Sequence, residues 1–405
     1  MVSSVLCRRH SAKFGRLVLG NISVSLGWWF SFVTLSSRFV FEDGISALPV
    51  AGITIIGLVP TVVVSPLSGA LADRVDRRLL MVVTQLLSAV VAASFLVLES
   101  LPALYLAFFC LALFAEVFKP AQRAMVTELV PNSRLLRANV VLKLTSMIAP
   151  GVAGVALAAL SRQLLLGTVA VLYGATAFVL LGLPTSTVDT DPSTRFSVEF
   201  KNGLQQFYTA PVLLLVTAVS TLGYGTIDAY KTLLPLYVRD VLALGQATYG
   251  VLTAVTSFGA VAGGLAMSHY EESITETLAL TLTLPVAGVS FLSLVVAQTV
   301  PVAVAASTVL GVAIAIVVSC GTTIVQRYGG SEFTGRLIGI YRSINKIGQI
   351  VAMAVMGVLS SATGIAKLFL GAGTVLAGTG MVALVVLYRQ QGTFEVDASI
   401  AQNAD

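Results

Sequence analysis

Charge is what this chain has least of. Only 11% of its 405 residues are charged, against about 25% in soluble globular domains. So few charges cannot cover a water-facing surface, which excludes a soluble fold. Histidine is nearly absent (His10 and His269), and the cysteines are Cys7, Cys110 and Cys320. That dispersed set supports neither a zinc site nor a disulfide framework, and no cluster of catalytic His, Asp or Cys is available for a membrane enzyme. No Gly-x-x-x-x-Gly-Lys-Ser/Thr loop occurs, so ATP hydrolysis within this chain is not expected. The net charge of +5 is scattered through short loops, which argues against nucleic acid as a partner.

What is present is apolar sequence in long runs. Hydrophobic residues make up 56% of the chain and the mean hydropathy is +0.92. A membrane-crossing helix needs about 20 mainly apolar residues. Twelve segments qualify: Phe14–Val40, Ser46–Leu71, Leu79–Leu98, Leu101–Val126, Leu135–Leu160, Leu164–Leu183, Val212–Val238, Ala247–Met267, Leu278–Ala297, Val302–Val325, Leu337–Leu359 and Leu368–Tyr388. The first follows Arg8, Arg9, Lys13 and Arg16 but is too long for a signal peptide and lacks a small-residue cleavage site, so it reads as an uncleaved helix.

The one long polar interruption falls near the middle. It divides the chain into a six-helix bundle over 1–184, a cytoplasmic linker over 185–210, a second six-helix bundle over 211–390 and a cytoplasmic tail over 391–405. The linker reads either as an amphipathic surface helix or as a solvated connection. A shift of 203 residues places Lys143 on Lys346 and Gly154 on Gly357, in keeping with a parallel repeat of two bundles. The expected fold is therefore an all-α membrane protein of twelve transmembrane helices in two pseudo-symmetric bundles. With the N-terminus inside, fifteen Lys and Arg fall in inner loops and termini, against Arg38, Arg162, Arg239 and Lys367 outside. That asymmetry puts both termini in the cytoplasm, in the cell (inner) membrane.

Charges at membrane depth are costly and so become functional candidates. The acids are Glu116 and Asp228; the bases are Lys119, Lys143, Lys231, Arg342 and Lys346. Glu116 with Lys119, and Asp228 with Lys231, have the spacing that puts acid and base on one helix face. Such residues either titrate and couple substrate to protons, or act as structural locks and snorkelling groups. Trp28, Trp29, Phe114 and Tyr224 are candidates for an aromatic cavity wall suited to a small amphiphilic or hydrophobic compound, with packing between helices as the alternative.

A charged turn, Gly69-Ala-Leu-Ala-Asp-Arg-Val-Asp-Arg-Arg78, separates the second and third apolar runs. It resembles the signature loop of the major facilitator superfamily. The stretches Phe118-Lys-Pro-Ala-Gln-Arg123, Glu128-Leu-Val-Pro131, Leu136-Arg-Ala-Asn139 and Ala149-Pro-Gly-Val-Ala-Gly154 are similar to its drug-exporter branch, which contains macrolide-efflux and enterobactin-exporter proteins. The resemblance implies alternating access, with Gly69, Asp73, Arg74, Arg77 and Arg78 as a conformational switch and Asp73 set against the start of helix 11 near Gly335. It implies that Arg77 and Arg78 pair with acids at the bundle interface. Asp76 stands where relatives carry glycine, and the matching loop of the second half, Gly264–Glu271, lacks the arginines. Helix 1 carries Gly27-Trp28-Trp29 where relatives often have an acid, which leaves Glu116 and Asp228 to carry protons. The functional expectation is a monomeric, cofactor-free secondary transporter driven by an ion gradient, with protons as the ion, that exports small amphiphiles from a membrane-lipid setting. The alternative is a lipid or lysolipid flippase, or a solute importer.

Overall fold

The computed structural model describes residues 2–64, 71, 75–131, 134–185, 211–269, 275–328 and 330–402. Twelve helices account for nearly all of them: α1 Val2–Ser37, α2 Ala47–Val63, α3 Arg77–Ser94, α4 Leu101–Leu129, α5 Leu135–Ala159, α6 Arg162–Leu180, α7 Pro211–Asp240, α8 Gln246–His269, α9 Glu276–Ala297, α10 Val300–Tyr328, α11 Gly330–Thr363 and α12 Ile365–Gln402. Eleven are long and apolar enough to cross a membrane; α2 is the shorter one, at 17 residues. Helices satisfy their own backbone hydrogen bonds, which is why apolar runs of this length fold this way in hydrocarbon.

Local sequence sets the helix ends. The Asp76 side chain accepts from the Arg78 N–H at 3.0 Å and caps α3. The residue that departs from the family pattern therefore supplies an N-cap, a role worth about 0.5–2 kcal/mol. Ser161 caps α6 through the Leu164 N–H. Gly364, at φ +82°, reverses the chain between α11 and α12, a conformation open to glycine at little cost. Pro60, Pro120, Pro150, Pro235 and Pro285 lie inside spans, where each removes one backbone hydrogen bond.

Contacts between helices repeat with a period of six. In the first half α1 packs on α5 and α6, α2 on α4, and α3 on α4 and α6. In the second half α7 packs on α11 and α12, α8 on α10, and α9 on α10 and α12. The halves meet along two equivalent seams, α5 with α8 and α2 with α11. This is the pseudo-two-fold arrangement of two six-helix bundles. Outward faces stay apolar, with Val90, Val171, Phe178 and Val382 each about two-thirds exposed or more, as a lipid-facing surface requires.

The two ends of the molecule are conveniently named from the chain: the basal face carries the start of α1 and the distal face its end. Both seams are tightest near the distal face. Gly154 of α5 and Gly250 of α8 face each other so closely that a Cβ on either would collide with the other's carbonyl oxygen. A Cβ on Gly357 of α11 would lie 2.9 Å from the Ala51 Cβ of α2. Small residues let helix backbones approach where lipid supplies no hydrophobic drive.

Three expectations are corrected. Helix 11 begins at Gly330, not Leu337, and helix 12 runs on to Gln402 through the expected tail. Arg123, one of the fifteen basic residues assigned to inner loops and termini although the Leu101–Val126 run includes it, lies within α4. The linker at 186–210, together with Gly69, Asp73 and Arg74 of the switch loop, lies outside the described residues. The α5–α8 seam gives the first testable outcome. Gly154→Val should lower the thermal midpoint of the purified protein by the equivalent of about 1–3 kcal/mol of overpacking. Gly167→Val, at a glycine with open space around it, should leave the midpoint close to wild type.

Candidate substrate cavity

Where the seams diverge, a cavity of about 590 Å³ opens between the bundles. Its first-bundle wall comes from Trp29 and Phe32 of α1 and from Asn139, Lys143, Met147 and Pro150 of α5. The second bundle contributes Lys231 and Leu234 of α7, Tyr249 through Leu265 along one face of α8, and Ile314 to Ser319 of α10. The lining reaches the first turns of α5 at Asn139 and the last turns of α8 at Leu265, so the space runs toward the basal face. At its distal end it stops at Phe32 and Tyr249.

A polar seal closes the distal face. α1 ends in a π-helical turn, Arg38–Glu42, that buries Phe39 and Val40. Arg239 of α7 donates to the Val40 carbonyl at 2.8 Å and the Ile45 carbonyl at 3.4 Å. Ser37 donates to the Gln246 side chain of α8 at 3.1 Å, and Thr54 meets Thr232 at 3.0 Å. The turn is held within its own half by Arg162 with Glu42 at 3.0 Å and by Arg38 with the Leu98 carbonyl at 2.9 Å. Among the described residues, the hydrogen bonds that join the halves lie here and at Ser257, whose hydroxyl donates to the Met147 carbonyl at 2.7 Å. None of these lies on the basal side.

Among the described residues, several basal contacts stay within one half. Arg77 pairs with Glu128 of α4. Arg78 reaches the Leu181 and Leu183 carbonyls at 3.4 and 3.3 Å, at the end of α6. In this conformation these partners of Arg77 and Arg78 lie in the first half. α3 packs on α4 and α6, and the carbonyls at a helix C-terminus lack partners and attract cations. Arg16 binds the Gly182 carbonyl in the same region, and Arg327 pairs with Glu276 in the second half at 2.6 Å.

The membrane-depth charges form two groups. In the first, Lys119 pairs with Glu116 at 2.5 Å and Lys231 with Asp228 at 3.2 Å. Lys346 of α11 donates to Gln349 at 2.8 Å and lies within electrostatic reach of Asp228, Lys119, Glu116 and Lys231. The network thus joins α4 of one half to α7 and α11 of the other. Lys231 also lies 5.9 Å from the centre of the Trp29 ring, a cation–π contact across the halves. The second group is Arg123, Lys143 and Arg342, whose positive charges act on one another.

Of the aromatic side chains expected on the wall, Trp29 lines the cavity and Trp28, Phe114 and Tyr224 are not among its lining residues. Consecutive helical residues point about 100° apart. Trp28 is accordingly turned into the bundle, stacked on Phe32 at 5.3 Å and tilted against Phe108 at 5.6 Å. Tyr224 sits one turn from Asp228 on α7, within electrostatic reach of Tyr341 and Arg342 of α11. Sequence reasoning missed the α8 wall and Arg123. The α8 residues Tyr249, Thr253, Thr256 and Ser257 carry no charge to mark them, and their spacing of three and four was the available signal.

Residues 17–353 match the family model described as Major Facilitator Superfamily. The chain belongs to that superfamily. This superfamily chain is 25% identical over 393 residues to the uncharacterized MFS-type transporter YfiS of Bacillus subtilis (strain 168), covering 93% of this chain and 94% of the relative. Among solved structures it is similar to the nucleoside transporter NupG, with a TM-score of 0.70 at 15% identity over 91% of this chain and 98% of that one. A bacterial homolog of the human lysosomal transporter Spinster, in an inward-facing and unoccupied conformation, gives a TM-score of 0.73 at 12% identity, covering 93% and 95%. At these identities the likeness is one of fold. The superfamily chain is therefore a multi-pass secondary transporter with its cavity between the two halves.

The distal seal is the part that must open if the halves rock about the cavity. In a background with Cys7, Cys110 and Cys320 replaced by serine, Ser37→Cys with Gln246→Cys should form a cross-link that arrests transport until it is reduced. Full transport by the cross-linked protein would show that the seal is not a moving gate.

Proposed function

We propose that the protein is a proton-coupled exporter of small amphiphilic compounds that works by alternating access. The observation that carries this reading is the Glu116–Lys119, Asp228–Lys231 and Lys346 network. It lies beside an apolar cavity and spans both halves of the molecule. Protonating either carboxylate would release the lysine held beside it and change the attraction between the halves at Lys346. Coupling of this kind needs a two-state element that the charge change biases, and two bundles joined at one end supply it.

The positive-inside asymmetry supports assigning the basal face to the cytoplasm of a cell (inner) membrane, which would make the described conformation inward-open. Export is favoured by the likeness of the Phe118–Arg123 and Ala149–Gly154 stretches to the drug-exporter branch. The lipid or lysolipid flippase and the importer share the same cavity and differ in direction and cargo. For the switch loop, we take Asp73 and Arg74 as the residues that engage the second half when the basal side closes, because Arg77 and Arg78 already hold partners in the first half. We expect the transporter to act as a monomer, without a cofactor.

Two measurements test these assignments. In proteoliposomes loaded with a fluorescent amphiphile, Asp228→Asn and Glu116→Gln should each weaken the dependence of efflux on an imposed pH gradient. Wild-type gradient dependence in both variants would remove these acids from proton coupling. Asp73→Asn should reduce turnover with normal insertion in the membrane, and unchanged turnover would remove Asp73 from the switch.

A further inference from the structure

We propose that the transported compound is an anionic amphiphile, with a carboxylate or phosphate headgroup seated among Lys143, Arg342 and Arg123 and an apolar body against Trp29, Phe32 and Met147. The proposal rests on the transport reading above and specifies its substrate class.

The charge inventory at membrane depth is lopsided. Among the described residues the acids there are Glu116 and Asp228, against Lys119, Arg123, Lys143, Lys231, Arg342 and Lys346. Each acid already has a lysine one turn away on its own helix, and Lys346 shares what remains of both. Lys143, Arg123 and Arg342 make no hydrogen bond or ion pair with any described residue. Arg123 senses the charge of Glu116, but that carboxylate is held by Lys119. Three cations gathered without an acid partner form a site that an anion completes.

Their placement suits a headgroup site. Lys143 lines the cavity, and all three side chains are exposed rather than packed into protein. They lie basal of the acid-containing layer. Arg123 is seven residues beyond Glu116 along α4, and Arg342 is four residues before Lys346 along α11, separations of about 10 and 6 Å at 1.5 Å per residue. An incoming amphiphile therefore meets the cations first, and the aromatic wall lies deeper. Arginine offers the forked donor geometry that matches carboxylate and phosphate.

The cluster also straddles the bundles, with Arg123 and Lys143 on the first half and Arg342 on the second. Empty, the three charges repel across the basal opening and oppose its closure. An anion between them converts that repulsion into attraction. Substrate would thus lower the barrier to occlusion, whereas the empty carrier resists it. That is the differential interaction a ligand needs in order to shift a two-state equilibrium.

Trp28 and Trp29 are the only tryptophans in the chain, and Trp29 lines the cavity, so a change in intrinsic fluorescence reports on occupancy of its wall. The test is titration of the full-length protein in nanodiscs with four probes of equal chain length: dodecanoate, dodecyl phosphate, dodecyltrimethylammonium and dodecanol. The anionic probes should bind at least about tenfold tighter than the cationic one, as charge-assisted hydrogen bonds predict. Arg342→Gln and Lys143→Gln should abolish that preference, Arg342→Lys should restore part of it, and Lys367→Gln on the distal face should leave it intact. Comparing dodecanoate with dodecyl phosphate tells a carboxylate cargo from a phosphate-headed lipid. Equal or tighter binding of the cation overturns the anionic assignment while leaving an amphiphile transporter standing. If none of the four binds, the amphiphile reading falls with it.

Discussion

Ionised side chains in hydrocarbon are the constraint on which the rest of this structure depends. Eight of them sit at membrane depth on α4, α5, α7 and α11, and each would cost a few kcal/mol at a bilayer centre if it faced lipid. Pairing along one helix answers part of that cost, at Glu116–Lys119 and Asp228–Lys231. The remainder requires water, and water requires a cavity. The cavity in turn requires two bundles that stand apart over part of their length. The twelve helices supply this by meeting tightly at one end of their seams and diverging at the other.

The tight end is built from contacts that can be broken and remade. Gly154 against Gly250, and Gly357 against Ala51, bring backbones together without interlocking large side chains. Among the described residues the polar contacts beside them are few: Ser37 with Gln246, Thr54 with Thr232, and Arg239 with the Val40 and Ile45 carbonyls. Each is an individually modest hydrogen bond. The basal pairs Arg77–Glu128 and Arg327–Glu276 lie inside single bundles, so they stiffen each half as a body without tying the halves together. Rigid halves with a weak seam are what rocking about a central site requires.

Much of this architecture was legible in the residues. Apolar runs of membrane length located all twelve helices, because the requirement for internal backbone hydrogen bonding leaves a spanning segment few alternatives. The i,i+3 spacing located both acid–lysine pairs, since that spacing fixes a shared helix face. Helix ends were less legible. α11 begins seven residues earlier than its apolar run, because a helix can continue past the hydrocarbon wherever no proline or positive-φ residue stops it. The first-half partners of Arg77 and Arg78 were not legible, because they depend on which helices α3 packs against, and charge alone does not reveal that. Arg123 was taken for a loop residue because a cation so near an apolar boundary is indistinguishable from an interfacial one.

The sequence by itself determined membrane residence, helix number and seven of the eight costly charges, since these follow from local composition and the thickness of a bilayer. Only the tertiary structure decided which charges stand together: Lys346 among two acids and two lysines, Lys231 near Trp29, and Arg123 and Lys143 within electrostatic reach of Arg342. Those groupings join residues more than a hundred positions apart, and they exist only because two bundles converge on one cavity. Electrostatic energy depends on distance in space, and in this chain that distance is set by how the bundles pack.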